Sequence, residues 1–366
     1  MASLQNFTLG LLGPLERQTV LSGLLIVSAL LSAALIVLLM PLLQRYALAR
    51  PNARSSHRIP TPQGGGIAVL AATVIPIAVL IFVTAPDIKL NWGSGNGFRF
   101  ISIVLLAAIG LAVVGAVDDI RPLHPIPRLL LQVVAVAAAV TVFDITGPRI
   151  LPSWIPEWFE IAFLVLGGVW FVNLVNFMDG LDWITVAEMV PITAFLAGLG
   201  IVTSMPAAFM AAALCGALLG FAVFNKPVAR LFLGDVGSLP IGLMVGWLLL
   251  MLARNGTFAA AILLPLYYLM DATITLFRRL AKRERVWEAH RSHFYQRATD
   301  NGFSVMAVVT HVFMLNLALA LLAAMTLVWP SSVVQVAALA AGILLVSLVL
   351  WRFSHPRVTA SVEVPR

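Results

Sequence analysis

Residues 20–43 read VLSGLLIVSALLSAALIVLLMPLL, an apolar stretch without a charged side chain. About 20 apolar residues are enough for a helix to cross the hydrocarbon core of a bilayer with every backbone group hydrogen-bonded inside the helix. The stretch is longer than the apolar region of a secretory signal peptide, and Arg17, beside Glu16, is the one basic residue before it. It therefore predicts a first transmembrane helix that is retained in the protein.

The rest of the chain has the same character. Of its 366 residues, 61% are hydrophobic and 11% are charged, whereas soluble domains carry about 25% charged residues. So much apolar surface would cause aggregation in water, which excludes an ordinary soluble protein. The net charge of +7 is explained by lysine and arginine kept in cytoplasmic loops, so no nucleic-acid partner is expected. The single cysteine, Cys215, lies in an apolar run and is expected to be a packed thiol.

Apolar windows of transmembrane length recur along the sequence. They predict an all-α polytopic integral membrane protein with about eleven transmembrane helices. We expect one transmembrane domain over residues 1–366, without a separate soluble domain. The windows are residues 20–43, 66–84, 100–117, 128–143, 159–176, 183–203, 206–224, 238–253, 257–277, 303–328 and 332–351.

The positively charged residues decide the direction in which these helices are threaded. If the loop after the first helix is cytoplasmic, 18 of the 23 lysine and arginine residues fall in cytoplasmic segments. This bias follows the positive-inside rule, so the amino terminus is predicted outside and the carboxyl terminus in the cytoplasm. The cytoplasmic loops expected to build a site span about 45–65, 118–128, 173–185, 225–238 and 278–302.

Acidic residues stand at the predicted inner ends of the apolar helices. An aspartate costs about 2.5–3.5 kcal/mol at the centre of a transmembrane helix and less near its ends, so acids kept there need a compensating partner. A Mg²⁺ ion with a phosphorylated ligand is one such partner, because Mg²⁺ binds carboxylate and phosphate oxygens together. Salt bridges are another. The acids are Asp118, Asp119, Asp179, Asp182 and Asp235, and the candidate cations are Arg58, Arg121, Arg128 and Lys226.

A polar repeat marks the loop at 173–185. Asn173, Asn176, Asp179 and Asp182 recur every three residues, so on a helix neighbours in this series lie next to each other along one face. Such a face is poorly suited to contact lipid, which favours a functional interpretation over a structural one.

Two further acidic motifs have both a structural and a functional interpretation. The adjacent carboxylates of Asp118 and Asp119 can cap a turn, but their mutual repulsion also favours holding a proton, which suits proton transfer. Asp235 lies between Gly234 and Gly237, where the backbone can approach a ligand closely. The alternative is a turn aspartate.

Two weaker signals complete the inner face. The glycines at 64–66 can cradle a phosphate or let helices pack closely. His290 and His293 stand three residues apart in a basic loop; they can bind phosphate or metal, or be plain solvated histidines.

Four motifs follow one another along the predicted inner loops: SSHRIPTPQGGG at 55–66, the stretch from VDD at 117–119 to Arg128, NFMDGLD at 176–182 and FLGDVGS at 232–238. In this order they resemble the polyprenyl-phosphate N-acetylhexosamine-1-phosphate transferase family. The resemblance covers residues 45 to 300 and implies transfer of a sugar 1-phosphate from a UDP-sugar to undecaprenyl phosphate, with release of UMP and with Mg²⁺ or Mn²⁺ as cofactor. It also implies an active site on the cytoplasmic side of a bacterial inner membrane. It leaves open whether the protein forms a homodimer.

The resemblance assigns roles by position. Asp118 resembles the general base that deprotonates the lipid phosphate, with Asp119 beside it, and Asp235 resembles the metal ligand. Arg128 closes the first acidic motif and is expected to bind substrate. Asn176, Asp179 and Asp182 resemble a patch that orients metal, ribose and uracil, with Asn173 as support on the same helix face. Asn225 and Phe232 match positions that line the nucleotide pocket.

Histidines mark the first and last inner loops. His57 lies where the family has polar and basic residues before its Pro-Thr-Pro and glycine stretch, and His290 and His293 fall where the family keeps histidines that meet phosphate and sugar. The peptidoglycan-precursor enzyme of the family has a consecutive histidine run there, whereas this chain reads HRSHFYQRA at 290–298. This segment is more similar to that of the branch that starts O-antigen synthesis, with a UDP-N-acetylhexosamine as donor.

Three other classes are weighed against this interpretation. A secondary transporter keeps ionisable residues near the bilayer midplane, whereas the acids singled out above lie at inner helix ends. An alcohol phosphatidyltransferase has Ala-Arg after its Asp-Gly, which DGLDWIT at 179–185 lacks. A dinucleotide-binding enzyme needs a GxGxxG that opens a helix after a strand, and the sequence offers none.

Overall fold

The computed structural model describes residues 13–49, 60–88, 97–141, 149–203, 205–285 and 291–357. Within these ranges the protein is a bundle of thirteen helices with one small two-stranded sheet. The helices are α1 (Pro14–Tyr46), α2 (Gly65–Ile88), α3 (Gly97–Ile120), α4 (Pro125–Thr141), α5 (Glu157–Met178), α6 (Ile184–Thr203), α7 (Ala207–Asn225), α8 (Asp235–Arg254), α9 (Phe258–Leu263), α10 (Leu266–Ala281), α11 (Phe294–Asp300), α12 (Val305–Val328) and α13 (Ser332–Phe353).

The predicted all-α polytopic membrane protein is confirmed. Each of the eleven apolar windows contains a helix, and nine described helices are long and apolar enough to cross a membrane. The other two windows differ from a plain span. Helix α4 has 17 residues, and the window at 257–277 is divided into α9 and α10 before Pro265, whose ring cannot continue the hydrogen-bond ladder of a helix. The predicted orientation of the termini stays a prediction.

Helix α7 forms the centre of the bundle, and almost all of its side chains are buried. Its small residues let it approach α1 closely: a Cβ atom at Gly216 would lie 2.0 Å from the Leu25 carbonyl oxygen, and one at Gly220 would lie 2.3 Å from that of Ala29. Small residues at such crossings allow the dispersion contacts that hold helices together in lipid. The long helices α1, α12 and α13 are much less buried and form the periphery.

Close glycine contacts also join α2, α3 and α8 at the ends that carry the predicted site. A Cβ atom at Gly66 would lie 2.2 Å from the Gly237 Cα atom, and one at Gly115 would lie 2.3 Å from the Asp235 carbonyl oxygen. Of the two interpretations of the glycines at 64–66, the structure supports helix packing.

A short sheet closes this end of the bundle. Strand β1 (Leu48–Ala49) pairs antiparallel with β2 (Thr61–Pro62). The segment before α8 continues the contact: the Phe232 N–H donates to the Pro62 carbonyl at 2.8 Å, and the Gly65 N–H donates to the Phe232 carbonyl at 2.9 Å. The first predicted inner loop is thereby fixed to the motif that contains Asp235.

Candidate active site

A short hydrogen-bonded turn joins α3 to α4 and sets the position of Asp118. One Asp118 carboxylate oxygen accepts the Leu123 N–H at 2.6 Å, and the other accepts Nη1 of Arg128 in the first turn of α4. The side chain of Asp118 is 10% exposed and that of Arg128 is 20% exposed. This is a charge-assisted pair in a partly desolvated place, which makes it stronger than a pair in open solvent.

The same guanidinium group reaches two more helices. Arg128 Nη2 donates to the Asn176 side-chain oxygen at 2.7 Å, and Arg128 Nη1 lies 3.2 Å from Asp235 Oδ2. The Asn176 amide nitrogen in turn donates to Asp235 Oδ1 at 2.7 Å and to the Ser238 hydroxyl at 2.8 Å. Three motifs that are far apart in sequence therefore converge on one positive charge. Of the other candidate cations, Arg121 and Lys226 are exposed, and Arg58 lies outside the described residues.

Asp119 acts on Asp235 through the backbone. Its two carboxylate oxygens accept the N–H groups of Asp235 and Val236 at 3.0 and 3.1 Å, which are unpaired donors at the start of α8. Gly234 precedes them with φ +77°, and a Cβ atom there would lie 2.7 Å from Asp119 Oδ2. Glycine is thus required both for the conformation and for the space.

The turn after α5 carries the next two acids. Asp179 accepts the Thr185 hydroxyl at 2.5 Å, and Asp182 accepts the Ala229 N–H at 2.9 Å. Burial raises the pKa of Asp179 to about 7, because desolvation outweighs the Thr185 hydrogen bond and the charges of Asp119 and Asp182 act in the same direction as burial.

Asn225 and Asn173 have partners within the protein. The Asn225 oxygen accepts the Trp183 N–H at 2.8 Å, and its amide donates to the Leu231 carbonyl at 2.9 Å, so Asn225 joins two loops. Asn173 donates to the Gln132 side-chain oxygen at 2.6 Å. This bond ties α5 to α4, and the supporting role of Asn173 in the site stays a prediction.

These motifs enclose a cavity of about 770 Å³. Asp119, Asn176, Asp179, Asp182, Asn225, Phe232 and Asp235 all contribute to its walls, together with Gln63, Gln296 and Ser304. A cavity of this size can hold a nucleotide-sized ligand. Most of the predicted site residues thus line one cavity. Asp118 and Arg128 do not line it, but Arg128 pairs with Asp118 and contacts Asp235, which does.

His293, the one predicted histidine among the described residues, does not line this cavity. His293 is 3% exposed and its Nδ1 atom lies 3.0 Å from Asp271 Oδ1, deep in the bundle. His57 and His290 lie outside the described residues. The predictions that His57, His290 and His293 contact substrate stay predictions.

The expectation that acids stop at the inner helix ends is incomplete. Glu188 in α6 and Asp271 in α10 are fully buried inside helices. Glu188 accepts the Asn316 amide at 2.6 Å and the Tyr268 N–H at 3.3 Å. An acid within an apolar window is itself a signal of function, and that signal was present in LYYLMDATITLF at 266–277. Thr185 and Gln296 carried no comparable signal.

Comparison with known proteins gives one matching family and many curated relatives. The profile of glycosyl transferase family 4 matches residues 101–253, which include the motifs of Asp118, Asn176 and Asp235. The phospho-N-acetylmuramoyl-pentapeptide-transferase of Deinococcus radiodurans is 28% identical over 71% of this chain and 86% of the relative. The decaprenyl-phosphate N-acetylglucosaminephosphotransferase of Mycobacterium leprae is 25% identical over 73% of this chain and 74% of the relative. A phospho-N-acetylmuramoyl-pentapeptide-transferase of Synechococcus sp. is 35% identical over 59% of this chain and 64% of the relative.

Proposed function

We propose that the chain, whose residues 101–253 match the profile of glycosyl transferase family 4, transfers an N-acetylhexosamine 1-phosphate from a UDP-sugar to undecaprenyl phosphate. The observation that carries the proposal is the convergence of Asp118, Asn176 and Asp235 on Arg128 beside a cavity of about 770 Å³. Phosphoryl transfer depends mainly on positioning and on charge stabilisation, and this arrangement supplies both.

The reaction joins two anions. An oxygen of the lipid phosphate attacks the phosphorus that carries the sugar, and the bond to the UMP oxygen breaks, with the electron pair leaving on UMP. Asp118 accepts the proton of the lipid phosphate when that phosphate is monoprotonated. Arg128 offsets part of the negative charge that accumulates as the two phosphates approach.

A divalent cation fits the donor set. Asp118 Oδ2 and Asp235 Oδ2 lie 2.5 and 3.2 Å from the same Arg128 nitrogen, so the two carboxylates already face one positive charge. In the described ranges no three His, Cys, Asp or Glu side chains come together as a metal site, but Mg²⁺ needs only one or two carboxylates when phosphates supply other ligands. We propose that Asp235 holds Mg²⁺ or Mn²⁺, with Asp118 beside it as the base. The bound metal would neutralise charge on the donor diphosphate and on the leaving UMP.

The turn at 179–182 and the segment at 225–232 are proposed to hold the nucleotide. Phe232 offers an aromatic face on the cavity wall, and Asp179 and Asp182 offer acceptors for ribose or uracil. Because both polar atoms of Asn225 are engaged by Trp183 and Leu231, we assign Asn225 the role of holding this pocket in shape.

A more specific proposal concerns which sugar is transferred and which pathway uses the product. The segment HRSHFYQRA at 290–298 differs from the consecutive histidine run of the enzymes whose donor substrate carries a pentapeptide. We propose a donor of the UDP-N-acetylglucosamine type and a role at the first membrane step of a surface polysaccharide such as O-antigen.

The test is a transfer assay on membranes that contain the full chain. Undecaprenyl phosphate, Mg²⁺ and labelled UDP-N-acetylhexosamines, including one with the pentapeptide, are supplied separately. We expect a butanol-extractable labelled lipid and stoichiometric UMP with a UDP-N-acetylhexosamine. Lack of both products with every donor, in membranes where the protein is folded and abundant, would refute the proposal.

The same preparation separates direct attack from a covalent enzyme intermediate. Protein incubated with donor but without lipid acceptor is denatured and examined for bound labelled sugar phosphate. Direct attack by the lipid phosphate predicts an unlabelled protein from an enzyme that is active once acceptor is added.

A further inference from the structure

Asp271 is a fully buried carboxylate in the middle of an apolar helix, and its hydrogen bonds point towards the last inner segment. Its oxygens accept the Phe294 N–H at 3.1 Å and the Tyr295 N–H at 3.3 Å, and His293 Nδ1 lies 3.0 Å away. Tyr267 and Thr275 on its own helix complete the set at 3.3 Å each. A buried acid is costly unless it is fully hydrogen-bonded, and here most of the compensation comes from residues 293–295.

These contacts fix the start of α11. Phe294 and Tyr295 are its first two residues, and their N–H groups have no partner within the helix. The Gln296 side-chain oxygen accepts the His293 N–H at 3.3 Å, and the rings of His293 and Tyr295 are stacked at 5.7 Å. The helix therefore depends on a charge that comes from α10.

Helix α11 transmits this position to the turn that carries Asp179 and Asp182. The Tyr295 hydroxyl donates to the Phe177 carbonyl at 3.3 Å. A Cβ atom at Gly180 would lie 2.2 Å from the Tyr295 hydroxyl oxygen and 3.2 Å from the Gln296 amide nitrogen. Gln296 itself lines the cavity. The side chains of Tyr295 and Gln296 thus pack directly on the backbone of the turn that carries Asp179 and Asp182.

We propose that Asp271 is a positioning residue, which holds α11 from inside the helix bundle so that Tyr295 and Gln296 set the geometry of the 179–182 turn. Asp271 is not among the residues that line the cavity, and outside its own helix its hydrogen bonds go to residues 293–295, so its action passes through α11. The structural part of the proposal stands on contacts alone, and only its kinetic part rests on the proposed function.

The experiment compares two buried carboxylates in the full-length protein. Asp271→Asn removes the charge beneath α11. Glu160→Gln is the matched control, because it also replaces a buried acid by its amide but has its contacts on Arg149 and Ile150, away from α11 and the 179–182 turn. Hydrogen–deuterium exchange of peptides covering 291–300 and 177–183 is measured in detergent micelles, together with KM and kcat for the UDP-sugar.

We expect Asp271→Asn to speed exchange in both peptides by about tenfold, since hydrogen bonds to a charged acceptor are lost. KM for the UDP-sugar should rise about fivefold to tenfold, while kcat changes less, because the turn belongs to the proposed nucleotide pocket. Glu160→Gln should leave exchange in 291–300 and KM within about twofold of wild type. Equal effects of the two substitutions, or unchanged exchange at 177–183 in Asp271→Asn, would overturn the proposal.

A second pair of variants decides the matter if Asp271→Asn does not fold. Gly180→Ala places a methyl group where the Tyr295 hydroxyl lies, and Tyr295→Phe in the same chain removes that hydroxyl. Gly180→Ala should raise KM, and the double variant should recover at least half of the loss. No effect of Gly180→Ala on KM would contradict the proposed path. Wild-type protein without transferase activity would refute the proposed function but not the exchange result.

Discussion

Two arginine–carboxylate pairs flank α4 in the sequence, and they are built differently. Arg149, after α4, pairs with one acid: its Nε atom donates to Glu160 at 2.6 Å, and its Nη2 atom donates to the Ile155 carbonyl at 2.6 Å. The other Glu160 oxygen accepts the Ile150 N–H at 2.8 Å. Arg254 also lies within electrostatic reach of Glu160 and Glu157, so two arginines face two acids at this end of the bundle.

Arg128, at the start of α4, meets two acids and an amide, and Asp119 lies against the same helix start as Asp235. Negative charge therefore exceeds positive charge at the Arg128 end and balances it at the Arg149 end. We therefore assign the Arg149 pair a structural role, and we propose that the Arg128 cluster binds a cation together with anionic substrates.

The largest effect is expected from Asp235→Asn. The amide keeps the shape but removes one of the two charges that face Arg128, so transferase activity should fall by at least roughly 10²-fold. Asp300→Asn is the matched control, since Asp300 is an exposed acid that pairs with Arg291 at 3.0 Å. Transfer assays at saturating Mg²⁺ give the measurement. Nearly full activity of Asp235→Asn would remove Asp235 from the proposed metal site.

A somewhat smaller effect is expected from Arg128. Arg128→Gln should lower kcat/KM by about 10²-fold, and Arg128→Lys by about tenfold, because an ammonium group carries the charge but cannot reach Asp118 and Asn176 with two separate nitrogens. Kinetics with both substrates varied would check this order. If lysine restored full activity, charge alone would explain the role of Arg128.

The Arg149 pair should respond in stability and not in activity. Glu160→Gln should lower the free energy of unfolding by about 1–2 kcal/mol, because the acid is buried but its arginine is partly exposed and screened. Thermal unfolding in micelles measures the loss, and activity at 20 °C should stay within about twofold of wild type. A severe loss of activity in a folded Glu160→Gln protein would break the contrast between the two ends.

The smallest effect concerns pH and Asp179. Its folded-state pKa of about 7 lies above the ordinary aspartate pKa of 3.8 because the carboxyl group is buried, so the folded protein binds this proton more tightly than the unfolded chain does. The contribution to stability is present at low pH and is lost as pH rises towards and through 7. Asp179→Asn should therefore make the thermal midpoint less dependent on pH between 5 and 8. An unchanged pH dependence would show that Asp179 is not the buried acid responsible.

The helices could be predicted because lipid imposes one simple rule. A long apolar window must form a helix to satisfy its backbone groups, and all eleven windows contain one. The division between α9 and α10 was missed because Pro265 lies inside an apolar run, where composition alone gives no boundary. Helix α11 was missed because its start depends on Asp271, which is more than twenty residues away.

Much of the site could also be predicted, since its motifs are local. Asp118, Asn176 and Asp235 were recognised from short patterns, and the structure joins them through Arg128. The pairing of His293 with Asp271 could not be predicted, because hydrogen-bond partners across helices depend on how the helices pack. The burial of His293 likewise follows from that packing and not from the basic segment around it.

The glycine contacts among α2, α3 and α8 have a mechanical consequence. Where Gly66 meets Gly237 and Gly115 meets the Asp235 backbone, the main chains touch, so one helix cannot slide past its neighbour by even the width of a methyl group without a clash. The Asp235 end of the bundle is therefore stiff. Alternating-access transporters work by rocking such helices against each other. The helices that carry Asp119 and Asp235 are thus held in one relative position, as a site that brings two phosphates together requires.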